Sequence, residues 1–143
     1  MIALLDVNVL VALAWPNHVH HAGAHQWFAS WATGWATTPM TEAGFVRVSA
    51  NPSALPVAAR PVDAFAILTR RTGLPKHHFW IDDVRTVVSS HVGPSRVLGH
   101  QQVSDAHLVA LAIRHGGTVA SFDNGIRSLV DRKHAAHVLS IPS

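Results

Sequence analysis

The chain has 143 residues, a length typical of one domain with a substantial hydrophobic core. It contains no cysteine, which excludes a disulfide scaffold and a cysteine-based zinc site, and no apolar run reaches the roughly 18 residues of a membrane-spanning helix. Eleven Lys and Arg against eight Asp and Glu give a net charge of +3, which favours a polyanionic partner.

The first ten residues, M-I-A-L-L-D-V-N-V-L, begin with a continuous apolar run from Ile2 to Leu5. Such a run is typical of a strand that is buried on both faces in a parallel sheet. Asp6 follows at the carboxyl end of this strand, where open α/β sheets place their ligand sites. The alternative is that Asp6 only caps the next helix. Because Met1 leads straight into a strand with no basic leader segment, we expect a cytoplasmic protein.

Strands and helices alternate along the rest of the chain. We predict strands at 35–38, 77–81, 118–121 and 137–141. We predict helices at 7–14, 18–32, 39–49, 61–71 and 82–90, a strongly apolar helix capped by Ser104, and a short last helix after Asp123. This alternation indicates βαβ units and therefore an α/β fold, with a central parallel sheet between layers of helices. We expect a single domain over residues 1–143.

Four acidic residues lie where the predicted elements meet one edge of the sheet: Asp6, Glu42, Asp105 and Asp123. Each has an ordinary explanation, because acids are favoured in the first turn of a helix and Asp-Asn-Gly is a common turn. Together, however, each pair at about 4 Å would repel by about 4 kcal/mol, so the group would share protons or hold a cation. Oxygen ligands favour Mg²⁺ or Mn²⁺. A metal in a basic surface that is open to phosphate suits phosphodiester cleavage.

Four segments, L-L-D-V-N-V-L, T-E-A-G-F-V-R-V, V-S-D-A-H-L-V-A-L-A and S-F-D-N-G-I, together resemble PIN-domain ribonucleases, and in particular the VapC-type toxins of toxin–antitoxin systems. The resemblance extends from Leu4 to Ile126. It implies an endoribonuclease that requires Mg²⁺, with Mn²⁺ as a substitute. The acidic residues that it places in the catalytic metal site are Asp6, Glu42, Asp105 and Asp123. The neighbouring polar residues that it implies are Asn8, Ser104, Ser121 and Asn124.

The resemblance also implies an RNA substrate (tRNA, rRNA or mRNA), a cognate VapB-type antitoxin and a homodimer. The candidates for antitoxin contact are Trp27, Phe28 and Trp31, for which core packing is the alternative. A second hypothesis is a catalytically inactive PIN-like module that binds RNA or protein. Metal-dependent RNA cleavage that EDTA abolishes would distinguish the two hypotheses.

Two further patterns are weaker. His18, His21 and His25 recur on one helical face, but structural zinc needs four ligands, and no cysteine or neighbouring acid completes a site. We therefore expect a solvated polar face. The arginines that are candidates for RNA contact are Arg47, Arg70, Arg71, Arg96 and Arg114, and a solvated surface explains each of them equally well.

Overall fold

The computed structural model describes residues 1–86 and 92–143. Its sheet is parallel throughout, with the strand order β3-β2-β1-β4-β5. The strands are β1 (Ala3–Leu5), β2 (Trp35–Thr37), β3 (His77–Phe79), β4 (Thr118–Ser121) and β5 (Val138–Ser140). The first strand of the chain therefore lies in the centre of the sheet, and all three of its residues are fully buried. This arrangement confirms the α/β prediction with a central parallel sheet.

Helices cover both faces of this sheet. The α-helices in the described part of the chain are α1 (Val7–Ala14), α2 (His21–Ser30), α3 (Pro39–Ser49), α4 (Pro61–Thr72) and α5 (Gln102–Arg114). Short 3₁₀ helices follow at Pro94–Arg96, Asn124–Leu129 and Arg132–His137. None of the helices in residues 1–86 and 92–143 is long and apolar enough to cross a membrane.

The alternation of side chains along the strands divides the core into two layers. Ala3 and Leu5 of β1 pack in a cluster with residues of α1, α2, α3 and α4. Leu4, between them, packs in a second cluster with the buried residues of α5. In the first layer, Gly44 lets α3 approach α1 closely, since a Cβ atom at this position would lie 2.6 Å from Val7 Cγ2. This close packing brings the start of α3 to the sheet edge at which Asp6 lies.

Two of the predicted elements are wrong in their local details. Asp82 to Arg85 form no helix, because the carboxylates of Asp82 and Asp83 are held by His107 and Arg114 of α5 instead. The remainder of that prediction, 87–90, lies outside the described residues. Ser104 is not a helix cap, since α5 begins two residues earlier at Gln102, after a turn in which the Gln102 N–H donates to Gly99 O.

Candidate active site

Three of the four predicted acids converge at the carboxyl edge of the sheet. Asp6 directly follows β1 and caps α1, while Asp123 lies two residues after β4. Because β1 and β4 are paired neighbours, these two acids lie at the same edge. Asp105 reaches this edge from the first turn of α5. The capping explanation for Asp6 is therefore also true, and the same carboxylate belongs to the acidic group.

Ser121, the last residue of β4, joins the elements of this edge through its side-chain hydroxyl. It donates a hydrogen bond of 2.8 Å to Asp6 Oδ2. It accepts hydrogen bonds from Asn8 Nδ2 at 3.2 Å and from the Asp123 backbone N–H at 3.0 Å. One hydroxyl has one proton and two lone pairs, so all of its capacity is used. Ser121 thereby fixes the position of Asp6 relative to Asp123, as expected for a supporting residue.

The electrostatics of these acids show that they interact strongly. Burial raises the pKa of Asp6, and the charge of Asp123 adds to this effect, although hydrogen bonds from Ser121 and the Val7 N–H oppose it. The pKa of Asp105 is raised to about 7, first by burial and then by repulsion from Asp6 and Asp123. Asp105 has no hydrogen-bond donor or ion-pair partner among the described residues. The group therefore carries unbalanced negative charge near neutral pH.

This donor set fits a hard divalent cation. Its carboxylate oxygens are the ligands that Mg²⁺ and Mn²⁺ prefer, and a cation would remove the repulsion that raises the pKa of Asp105. Within residues 1–86 and 92–143, no three acidic or histidine side chains already surround a single point closely enough to ligate an ion. Mg²⁺ tolerates such an open arrangement, because it keeps several water ligands and is usually held by one or two carboxylates.

Glu42, the fourth predicted acid, has different neighbours. Thr37 Oγ1 donates a hydrogen bond of 2.6 Å to Glu42 Oε2. His77 Nε2 lies 2.7 Å from the same hydroxyl and must be the donor there, because the hydroxyl proton is already used. Burial lowers the pKa of His77, and the charge of Glu42 opposes that effect. The structure thus places Glu42 at the end of a chain of hydrogen bonds from His77.

Thr37 and His77 were not predicted as site residues. Thr37 is the last residue of β2, as Ser121 is the last residue of β4, so a hydroxyl at a strand's carboxyl end was the signal available in the sequence. His77 had no such signal. It reaches Thr37 only because β3 pairs with β2 at the edge of the sheet.

The other polar residues that were predicted to support the site, Asn8, Asn124 and Ser104, differ in their surroundings. Asn8 also accepts a hydrogen bond of 3.4 Å from the Phe122 backbone N–H, so both ends of its side chain contact the segment that leads to Asp123. The side chain of Asn124 accepts a hydrogen bond from Ser140 of β5. Ser104 is exposed on α5.

The aromatic residues of α2 are half-buried. The rings of Trp27 and Trp31 stack with centroids 5.5 Å apart, and Phe28 packs edge-on against the buried Trp35. The Trp31 indole N–H donates to Gly34 O at 2.9 Å, which gives Trp31 a structural role. These rings therefore contribute to the core and to the surface at the same time.

The histidine stripe on α2 has a structural role that the sequence did not reveal. His21 Nδ1 lies 2.7 Å from Ala12 O, and His25 Nε2 lies 2.8 Å from Leu13 O. A carbonyl oxygen can only accept, so both rings donate to the last carbonyl groups of α1. The stripe therefore caps a helix C-terminus, and the solvated face that we expected is wrong for these two residues.

Comparison with known proteins identifies the family of this chain. The PIN domain family model matches residues 3–132. Ribonuclease VapC39 of Mycobacterium tuberculosis is 53% identical over 124 residues, which cover 86% of this chain and 89% of that protein. Ribonuclease VapC38 of the same species is 48% identical over 132 residues, which cover 92% of each chain.

A solved structure has the same fold. It is the crystal structure of Mycobacterium tuberculosis VapC20, described as a sarcin-ricin loop cleaving toxin. The two structures agree with a TM-score of 0.63 at 15% sequence identity, over 87% of this chain and 92% of that one. The family match and the identities to curated relatives together settle the classification. The chain belongs to the PIN-domain family, and within it to the VapC ribonucleases.

Proposed function

We propose that this chain is an endoribonuclease toxin that requires Mg²⁺, or Mn²⁺ in its place, to cleave RNA phosphodiester bonds. The observation that carries the proposal is the convergence of Asp6, Asp105 and Asp123, with the pKa of Asp105 raised to about 7. Strongly perturbed pKa values cluster at functional sites. Membership of the VapC ribonucleases supplies the substrate class, RNA. We expect the protein to act in the cytoplasm, where its substrates are.

Each side chain of the site has a distinct task in this proposal. Asp6 and Asp105 are the principal metal ligands, and Asp123, which lies on the exposed side of the group, completes the site. A divalent cation held there would polarise the scissile phosphate and lower the pKa of an attacking water. Glu42 has one oxygen fixed by Thr37, which leaves the other free to orient the site or accept a proton.

The test is RNA cleavage by the purified chain. We expect the wild-type protein to cut single-stranded RNA with Mg²⁺ or Mn²⁺ present, and EDTA to abolish the reaction. Asp105→Asn should lose at least about 100-fold in rate, since one carboxylate of the metal site is removed. The matched control is Asp83→Asn, which makes the same chemical change in an exposed acid that is paired with Arg114, and which should retain full activity.

Two results would contradict the proposal. Cleavage that persists in EDTA would exclude a metal requirement. Failure of the wild-type chain to cut any RNA in the presence of metal would favour the inactive PIN-like module instead. That alternative gives no reason for three interacting aspartates to lie at one edge of the sheet.

We further propose that a VapB-type antitoxin neutralises the enzyme by docking on the aromatic side of α2. The support is the half-buried state of Trp27, Phe28 and Trp31, since aromatic rings commonly anchor interfaces. Basic antitoxin side chains could then reach the acidic group, where arginine pairs well with carboxylates.

Trp27→Ala tests the docking surface better than a change at Trp31, whose indole is bonded to Gly34 O. We expect Trp27→Ala to weaken antitoxin binding while RNA cleavage by the free enzyme stays intact. Calorimetry with the cognate antitoxin measures the first effect, and a cleavage assay measures the second. Unchanged antitoxin affinity would place the docking surface elsewhere.

A further inference from the structure

Only some of the basic side chains of this chain are paired with acidic side chains. Apart from the three catalytic aspartates and Glu42, every acidic residue has a basic partner. The pairs are Asp63 with Arg60, Asp82 with His107, Asp83 with Arg114 and Asp131 with His134. The acids thus neutralise few of the eleven Lys and Arg side chains. The positions of the unpaired cations therefore indicate where the surface favours an anion.

Several predicted RNA contacts are occupied by contacts within the protein. Arg71 Nη2 donates to Leu13 O at 2.8 Å, Arg96 Nη1 donates to Val130 O at 3.3 Å, and Arg114 is paired with Asp83. Among the described residues, six cations have neither a hydrogen bond nor an ion pair: Arg47, Arg70, Arg85, Arg127, Arg132 and Lys133. Half of these lie within seven consecutive positions near the end of the chain, and all three of those are exposed.

This basic segment begins at the catalytic edge. Asp123 accepts a hydrogen bond of 2.8 Å from the Gly125 N–H and so caps the 3₁₀ helix Asn124–Leu129. Arg127 lies four residues after Asp123 on that helix, a rise of about 8 Å along its axis. Arg127 and Arg132 line one cleft of about 320 Å³. We call this feature the basic cleft and define it by Arg127 and Arg132.

The basic cleft also contains one acid, Asp131. Its Oδ1 accepts a hydrogen bond of 3.1 Å from the His134 N–H and lies 3.0 Å from His134 Nδ1. Burial opposes ionisation of Asp131, but the hydrogen bonds and the charge of His134 lower its pKa. The positive charge of Arg96 lowers this pKa further. Cations therefore outnumber the acid, and the field in the cleft favours an anion.

We propose that the basic cleft holds an RNA phosphate outside the catalytic group. The inference rests on the proposed action on RNA. The catalytic aspartates repel a polyanion until a cation neutralises them, so the strand needs attachment points outside that group. Contacts from Arg to phosphate position a nucleic acid without reading its sequence, which suits a site built from exposed arginines.

Salt dependence of RNA binding tests this proposal. All variants are made in an Asp105→Asn background and measured in EDTA, so that no strand is cut, by fluorescence anisotropy of a labelled 15-nucleotide single-stranded RNA. Arg127→Gln with Arg132→Gln should lower the magnitude of the slope of log affinity against log salt by about 0.7, because the cleft holds one phosphate. Between 50 and 200 mM salt, the double variant should then lose about 2.6-fold less affinity than the background protein.

Two controls determine how the slopes are interpreted. Arg60→Gln with Lys76→Gln removes the same net charge from side chains that already have partners within the protein and should leave the slope unchanged. Asp131→Asn retains a side-chain acceptor for the His134 N–H and should tighten binding at 50 mM salt. Equal slopes for the two double variants, or weaker binding by Asp131→Asn, would overturn the proposal. Because cleavage plays no part in the measurement, an absence of ribonuclease activity would refute the proposed function separately.

Discussion

Replacing Asp105 by Asn should stabilise the metal-free protein at alkaline pH. The side chain of Asp105 has no donor or cation partner among the described residues, and its pKa is raised to about 7 by burial and by Asp6 and Asp123. Its ionised form therefore only costs free energy in the absence of metal. An amide of nearly the same size removes this cost and breaks no hydrogen bond that the described residues make.

The size and the pH dependence of the effect follow from the shifted pKa. Raising a carboxyl pKa from 3.8 to about 7 corresponds to about 4 kcal/mol of unfolding free energy at high pH. Because Asp105 is only half-buried, solvent screening reduces this value, and we expect a gain of about 1–2 kcal/mol. The folded chain binds the proton of Asp105 more tightly, so the contribution of Asp105 to wild-type stability is greatest below about pH 4 and is lost as the pH rises to about 7. The advantage of Asp105→Asn should develop over the same range.

Urea unfolding in EDTA at pH 4 and pH 8 measures this difference. We expect Asp105→Asn to unfold at higher urea than the wild type at pH 8 and at nearly the same urea at pH 4. Asp83→Asn, which loses an exposed ion pair, should give no stabilisation at either pH. A variant no more stable than the wild type at pH 8, or an equal advantage at both pH values, would refute the reasoning about repulsion.

Three further predictions concern the supporting contacts and the assembly. Asp6→Asn should abolish cleavage but stabilise the protein less than Asp105→Asn in urea unfolding. The Val7 N–H and Ser121 donate to different oxygens of Asp6, and one of these becomes an amide nitrogen that cannot accept, a loss of about 1 kcal/mol; equal stabilisation would contradict this. Thr37→Val removes the hydroxyl that holds Glu42 and should lower kcat about tenfold or more with an unchanged circular dichroism spectrum, whereas an unchanged kcat would exclude this role. Sedimentation at micromolar concentration should show a homodimer, and a monomer would be the contrary result.

Much of the fold was predictable because the pattern of each strand is local. A short apolar run followed by a polar residue marks β1 and β4, and helices between strands require parallel pairing. The errors occurred where tertiary contacts override local preference. Asp82 and Asp83 favour a helix start by sequence, yet their carboxylates bind side chains of α5, more than twenty residues away, and the backbone there forms no helix.

The same distinction applies to the candidate site. Asp6 and Asp123 were predictable, since each follows a strand and the carboxyl ends of parallel strands share one edge. The position of Glu42 was not, because it depends on Thr37 and on His77 in the neighbouring strand, forty residues apart in sequence. The arginines without partners could not be predicted either, because the sequence does not show which cations already bind carbonyl groups.

Metal binding as a function of pH tests the central claim most directly. We expect Mn²⁺ titrated into the wild-type chain, and followed by calorimetry, to bind about tenfold more tightly at pH 8 than at pH 6, because the metal must displace the proton that Asp105 holds up to about pH 7. Asp105→Asn should bind weakly at both pH values, and Asp83→Asn should match the wild type. Equally tight binding by wild type and Asp105→Asn, at either pH, would contradict the claim that these aspartates form the metal site.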